Sequence, residues 1–185
     1  EILLGRNISY QDSSPALVAR LEEVVLEVSN IRCHYLLGLP NLFNPRYNND
    51  LFYRLRWHRC FDAIENKLAE FCTFDALIFR REVDSPLDQG MRRLIHLIHG
   101  EFKVLFVGNR EKYVELKKEL EQASLIEIPE KNAFQEINSI KEQIQTSATF
   151  DETIVLVSAG PAVKVLCKEP CQEGYFLIDV GSFRI

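Results

Sequence analysis

The sequence predicts an α/β fold, Rossmann-like in outline, with a mostly parallel sheet and helices on both faces. Two observations carry this. The runs "KVLFVGN", "LIEIP", "TIVLVSAGP" and "GYFLIDVG" are short, apolar and rich in Val, Ile, Leu and Phe, as buried strands are. Between them lie stretches whose apolar residues recur at helical spacing, so strand and helix alternate as in successive βαβ units, whose right-handed crossovers give a parallel sheet. The 185 residues suit one domain with its own core, and no repeat, low-complexity tract or long linker interrupts them. One domain over 1–185 is the expectation.

The elements follow in order. Ser13-Ser14-Pro15 is a helix-start signal, and Leu17, Leu21, Val24, Val25 and Val28 recur behind it, which predicts a helix from Pro15 to about Ser29. "CHYLLGLP" reads as a short strand closed by Gly38 and Pro40, and "NLFNPRYNND" as a polar loop. Asn48 or Asn49 caps a second helix to about Phe71, "DALIF" is a strand, and Ser85-Pro86 opens a third helix that ends near Gly100. "KVLFVGN" is followed by a helix with Tyr113, Leu116 and Leu120 on one face. "LIEIP" is followed by one with Ala133, Ile137, Ile140 and Ile144 on one face. "TIVLVSAGP" leads into a short helix to about Lys168, and "GYFLIDVG" is the last strand.

Composition removes several classes of function. A net charge of −5 disfavours duplex nucleic acid as a partner. No apolar run approaches the roughly 20 residues that span a bilayer, and no signal peptide opens the chain, so a cytoplasmic protein without a membrane span is expected. Cys33, Cys60, Cys72, Cys167 and Cys171 are odd in number and scattered, which fits free thiols in a reducing compartment. His96 and His99 sit at helical spacing without a third metal ligand in their segment, and Arg54, Arg56, Trp57, His58 and Arg59 read as an amphipathic helix rather than a nucleic-acid surface. The chain opens at Glu1 without Met and stops at Ile185 directly after a strand, the pattern expected of a piece of a longer polypeptide.

In a parallel α/β sheet, ligands gather beyond the carboxyl ends of the strands. That rule nominates Gly108 and Asn109, Pro129 to Asn132, Ser158 to Pro161, and Asp179 to Gly181. Each has a plain structural reading beside the functional one. Gly160 and Pro161 make either a tight strand-to-helix turn or a backbone cradle for an anion at a helix start. Asn132 either bonds a base or sugar or caps a helix, and Asp179 meets nucleotide, metal or acceptor, or closes a loop. Arg80 and Arg81 leave a strand where they can pair with diphosphate oxygens or remain solvated. No Gly-x-Gly-x-x-Gly, Gly-Lys-Ser/Thr or Gly-x-Ser-x-Gly motif is present, which disfavours standard NAD enzymes, P-loop NTPases and α/β-hydrolases.

The series "IPEKNAF", "TIVLVSAGPAVKVL" and "GYFLIDVG", with "ISYQ" and "GLPN" earlier in the chain, resembles the bacterial GT-D fold glycosyltransferases, formerly grouped as a domain of unknown function. The resemblance covers nearly the whole chain and is most specific in its second half. It implies a sugar transferase using a nucleotide-diphosphate sugar, UDP-linked, with a glycan or glycoprotein as acceptor. It also implies an Asp-x-Glu motif holding a divalent metal, Mn²⁺ or Mg²⁺, against the donor diphosphate. Glu1 stands near the end of that motif, which is not present in full. Asp179 is then the catalytic carboxylate, and Asn109, Asn132, Ser158, Gly160, Pro161 and Arg80 are nucleotide contacts. Ser182-Phe183-Arg184 stands where the family tends to carry a His and further carboxylates. Two other classes compete: a non-catalytic sugar-nucleotide or protein-binding module, and a methyltransferase-like nucleotide enzyme, for which a Gly-rich first loop is lacking.

Overall fold

The computed structural model describes residues 2, 5–28, 38–39, 74–75, 95, 97–98 and 100–181. Helix α1 is Pro15–Val28, and two short strands, β1 (Gly38–Leu39) and β2 (Phe74–Asp75), pair in parallel. Then follow β3 (Lys103–Gly108), α2 (Arg110–Lys117), β4 (Ser124–Glu127), a 3₁₀ turn at Ala133–Glu136, and α3 (Ile137–Ser147). The chain continues as β5 (Thr153–Val157), α4 (Ala162–Gln172) and β6 (Phe176–Asp179). The expected loop at 41–50, the helix to Phe71 and most of the helix ending at Gly100 lie outside the described residues, as do Cys33, Cys60, Cys72, His96, His99 and the basic-aromatic cluster at 54–59.

Strands β3 to β6 form one parallel sheet in the order β4-β3-β5-β6. Side chains alternate across a strand, so each apolar run supplies two cores at once. Leu105, Val107, Val155 and Val157 face α3 and α4, where Ile140, Ile144, Val163 and Leu166 meet them. Val104, Phe106, Ile154 and Leu156 face the other way, onto Leu116, Leu120, Ala123 and Ile98. Helices therefore cover both faces. Helix α1 adds an outer layer, with Leu17 and Leu21 packed on Ile2 and on Val165 of α4. Full burial of one such Val or Leu side chain is worth about 1.5–3 kcal/mol over exposure, so these two cores dominate the stability.

Two boundaries differ from the sequence expectation. Helix α2 ends at Lys117, and buried Leu120 reaches the core from the turn that follows, its amide bonded to the Leu116 carbonyl at 2.9 Å. Helix α4 runs past Lys168 and through Pro170 to Gln172. The ring of Pro170 is buried, and its carbonyl accepts from the amides of Glu173 and Tyr175 at 3.0 Å each, so packing and terminal hydrogen bonds outweigh the lost proline N–H. Ion pairs tie both α1 and α3 to α4: Arg20 pairs with Glu169, Lys141 with Glu173 at 2.6 Å, and buried Lys168 with Glu23 at 3.5 Å.

The "ISYQ" segment crosses the carboxyl end of the sheet. Ile8 and Gln11 bridge each other, the Tyr10 carbonyl accepts from the Asn132 amide at 3.0 Å, and the Asn132 side chain holds Asp12 at both its backbone N–H (2.7 Å) and its carboxylate (2.9 Å). The Tyr10 ring lands on Gly160. A Cβ added there would lie 2.6 Å from the ring, and Gly160 has φ +58°, so the turn requires glycine twice over.

Two expected outcomes follow from this packing. Gly160→Ala is expected to cost on the order of 1 kcal/mol or more, and less in a Tyr10→Ala background, where only the backbone strain is left. Denaturant unfolding of the four proteins in that cycle measures it, and equal costs in both backgrounds would mean the ring contact contributes nothing. Burial raises the Cys171 thiol pKa, and burial followed by the nearby Asp179 charge raises that of Cys167 further. Both thiols are therefore expected to react more slowly with iodoacetamide at pH 8 in the folded chain than after unfolding in urea, as peptide mapping reads out, and equal rates in the two states would contradict the effect of burial.

Candidate functional site

Register brings the strand ends level. Gly108 pairs with Glu127, Val107 with Val157, and Val157 with Asp179, so the residues nominated from sequence emerge along one edge. The ladder extends one residue further through Ile128 N–H to Gly108 carbonyl (3.2 Å), Ser158 to Val107 (2.8 Å) and Val180 to Val157 (3.0 Å). Polar side chains take over where it stops.

Lys112, in the first turn of α2, reaches across to the end of β5 and donates to the Ser158 hydroxyl at 2.7 Å. Ser158 in turn donates to the Gly181 carbonyl at 2.6 Å, and Lys112 also meets that carbonyl at 3.4 Å. The amide of the same glycine donates to Asp179 Oδ1 at 2.9 Å, while Asp179 Oδ2 pairs with Lys164 in the first turn of α4. One loop residue, Gly181, thus links Lys112 of α2, Ser158 just after β5 and Asp179 of β6, and Asp179 adds Lys164 of α4. Glu127, at the end of β4, is engaged by Arg110 at 2.6 and 3.1 Å, and this hydrogen bond and charge raise the guanidinium above its ordinary pKa.

The individual candidates fare differently. Asn109 is the N-cap of α2, its side-chain oxygen accepting from the Lys112 amide at 3.1 Å. Asn132 precedes the 3₁₀ turn in the left-handed conformation (φ 59°) and makes no side-chain cap; Asp12 and Gln11 occupy it instead, which corrects the helix-cap alternative. Ser158 is buried and hydrogen-bonded inside the cluster just described. Pro161 occupies the N-cap position of α4, and Gly160 before it is covered on its Cα by Tyr10. Asp179 sits at the strand end with its carboxylate shared between Lys164 and Gly181. Arg80, Arg81 and Glu1 lie outside the described residues.

Sequence reasoning passes over Lys112 and Lys164. Their signal is positional: each falls in the first turn of a helix that directly follows a buried strand, where the helix N-terminus and the strand ends converge. Tyr10 stands inside a motif that is noticed only as a resemblance. A divalent metal needs several carboxylate, imidazole or thiolate ligands in one place. Among the described residues no group of three or more His, Cys, Asp and Glu side chains could hold one, and the Asp179 carboxylate already faces a lysine. The described residues do not by themselves make a metal site.

Among the described residues, no helix is long and apolar enough to cross a membrane. A probable glycosyl transferase of Streptococcus gordonii is 27% identical over 98% of this chain, and the glycosyltransferase GlyD of Streptococcus pneumoniae serotype 4 is 24% identical over 97%. The chain spans 28% and 23% of the length of these two relatives. Two solved structures superpose on 97% of it with a TM-score of 0.74 at 25% identity. One is a highly conserved domain of unknown function with a distinct glycosyltransferase fold, of which 68% is covered, and the other a new glycosyltransferase from Streptococcus sanguinis, of which 70% is covered. A family model for the glycosyltransferase GT-D fold matches residues 1–185, and the chain belongs to that family.

Proposed function

We propose that this domain transfers a sugar from a nucleotide-diphosphate sugar, UDP-linked, to a hydroxyl of a glycan or glycoprotein. The observation that carries the reading is the convergence of Lys112, Lys164 and Asp179 at the strand ends of a chain that matches the GT-D fold over 1–185. Transfer forms a bond from the acceptor oxygen to the anomeric carbon and breaks the bond from that carbon to the diphosphate. The leaving diphosphate gains charge as the bond breaks, and cations held in place beforehand stabilise it without reorganising. Lys112 and Lys164, with the start of α4, meet that need. The acceptor hydroxyl must lose its proton, and Asp179 is the carboxylate placed to take it.

Ser158 and Gly181 position these groups rather than react: Ser158 is engaged with Lys112 and the Gly181 carbonyl, and the Gly181 amide with Asp179. A divalent metal, Mn²⁺ or Mg²⁺, with Glu1 as a carboxylate ligand, belongs to this reading on the resemblance alone. When bound, it would neutralise diphosphate charge; none of the roles above depends on it.

Three outcomes test the reading. UDP at about 100 times its dissociation constant is expected to stabilise the fold by about 2.7 kcal/mol, a thermal shift of roughly 5–10 °C, and shifts no larger than those with S-adenosylmethionine would remove its basis. Lys112→Met and Lys164→Met are each expected to weaken UDP by about 10-fold or more in calorimetric titration, the loss of one charge-assisted contact. Asp179→Asn is expected to lower turnover by about 10²–10⁴-fold, read as release of UDP from a UDP-sugar to water or acceptor, while UDP affinity is kept or rises, because Lys164 loses its competing carboxylate. Lost UDP affinity at normal turnover would make Asp179 a donor ligand instead, and equal UDP affinities with Mn²⁺ and with EDTA would take the metal out of the reading.

A further inference from the structure

We propose that Tyr10 is the platform on which the nucleobase of the donor stacks, an assignment that rests on the donor-binding reading above. Tyr10 is 49% exposed, so burial contributes only part of what its ring could gain. Its position is nonetheless fixed from several sides. The Tyr10 carbonyl accepts from the Asn132 amide, Ile8 and Gln11 bridge on either side of it, and Asp12 is held by the Asn132 side chain. The ring meets Gly160, where a side chain would collide with it at 2.6 Å.

This places a half-exposed aromatic surface on the turn that opens α4. Lys164 lies in the first turn of that helix and pairs with Asp179. A cation for a diphosphate, Lys164, and the Tyr10 ring for a planar base are therefore presented together at the start of α4, with the ring held before any ligand arrives. Bases of every kind have a π face, and stacking on an aromatic side chain needs no hydrogen-bond pattern, which suits a platform that orients a nucleotide whose phosphates are anchored elsewhere.

The test is calorimetric titration of wild type, Tyr10→Phe, Tyr10→Leu and Tyr10→Ala with UDP, UDP-glucose and inorganic pyrophosphate, with the melting temperature of each recorded. The expected result is about a 10-fold loss of UDP affinity in the Leu and Ala variants, near wild-type affinity in Phe, and no change for pyrophosphate in any of them. Tyr10→Leu keeps an apolar side chain over Gly160, so its loss is one that a merely structural cover would not produce. Equal UDP affinity in wild type and Tyr10→Ala overturns the stacking role and leaves the donor reading intact. Parallel losses for UDP and pyrophosphate overturn it too, by showing that the ring acts through the turn. A loss for UDP-glucose but not UDP overturns it by putting the transferred sugar on the ring. Absence of binding by wild type to UDP, ADP and GDP alike overturns the donor reading and this assignment with it.

Discussion

Val157 is paired on one side with Val107 and on the other with Asp179, and the placement of the polar groups at the sheet edge depends on that register. A slip of one residue would turn every side chain of β5 to the opposite face. Val155 and Val157 would leave the core they share with Leu166 and Val163, and Ser158 would no longer meet Lys112. The apolar packing of the two faces and the geometry of the candidate site are therefore one constraint. Because β5 is buried at every position, the register is set by many contacts at once, and the edge inherits their rigidity.

At that edge the charges are present in pairs: Lys164 with Asp179, and Arg110 with Glu127. Exposed pairs of this kind contribute about 0–1 kcal/mol to stability, so their contribution to the fold is small. Their effect on a ligand is larger. On the proposed function, a diphosphate arriving at Lys164 would compete with the Asp179 carboxylate already in place, and would gain the difference between the two contacts rather than the whole of one. The same exchange turns the Asp179 carboxylate toward other partners, since its second oxygen stays on the Gly181 amide. On the proposed function, binding the donor and freeing the carboxylate would be a single step, coupling donor occupancy to the chemistry proposed for Asp179.

The sheet was legible in the sequence because each of its strands is a continuous apolar run followed by a helical period, and the four strand-end loops could be nominated from topology alone. Helix α1 was legible from Ser13-Ser14-Pro15 and the leucines behind it. The roles of single polar residues were not. Asn109 and Asn132 are the same residue type at equivalent strand ends, yet one caps a helix and the other clasps Asp12 from more than a hundred positions away. Local pattern cannot distinguish these, because the deciding partner is supplied by tertiary folding. The expected end of α4 near Lys168 falls short for a related reason: burial of the Pro170 ring, which the local pattern does not show, accompanies a helix that runs on to Gln172.

Gly160 shows how such a residue is to be weighed. Its glycine identity is fully accounted for by a positive φ and by the Tyr10 ring, so it is not in itself a sign of a phosphate pressed against the backbone. The turn needs glycine so that Tyr10 can lie there, and Tyr10 lies there because Asn132 and the Ile8–Gln11 bridge hold its backbone. A chain segment from the N-terminus is thus made part of the carboxyl edge of a sheet built from the second half of the sequence. That edge is consequently rigid on both of its sides, in the Gly181 loop through Ser158 and Lys112 and in the Gly160 turn through Tyr10. A site fixed before its ligand arrives loses less conformational freedom on binding, which is the physical advantage of spending so many internal hydrogen bonds on a surface.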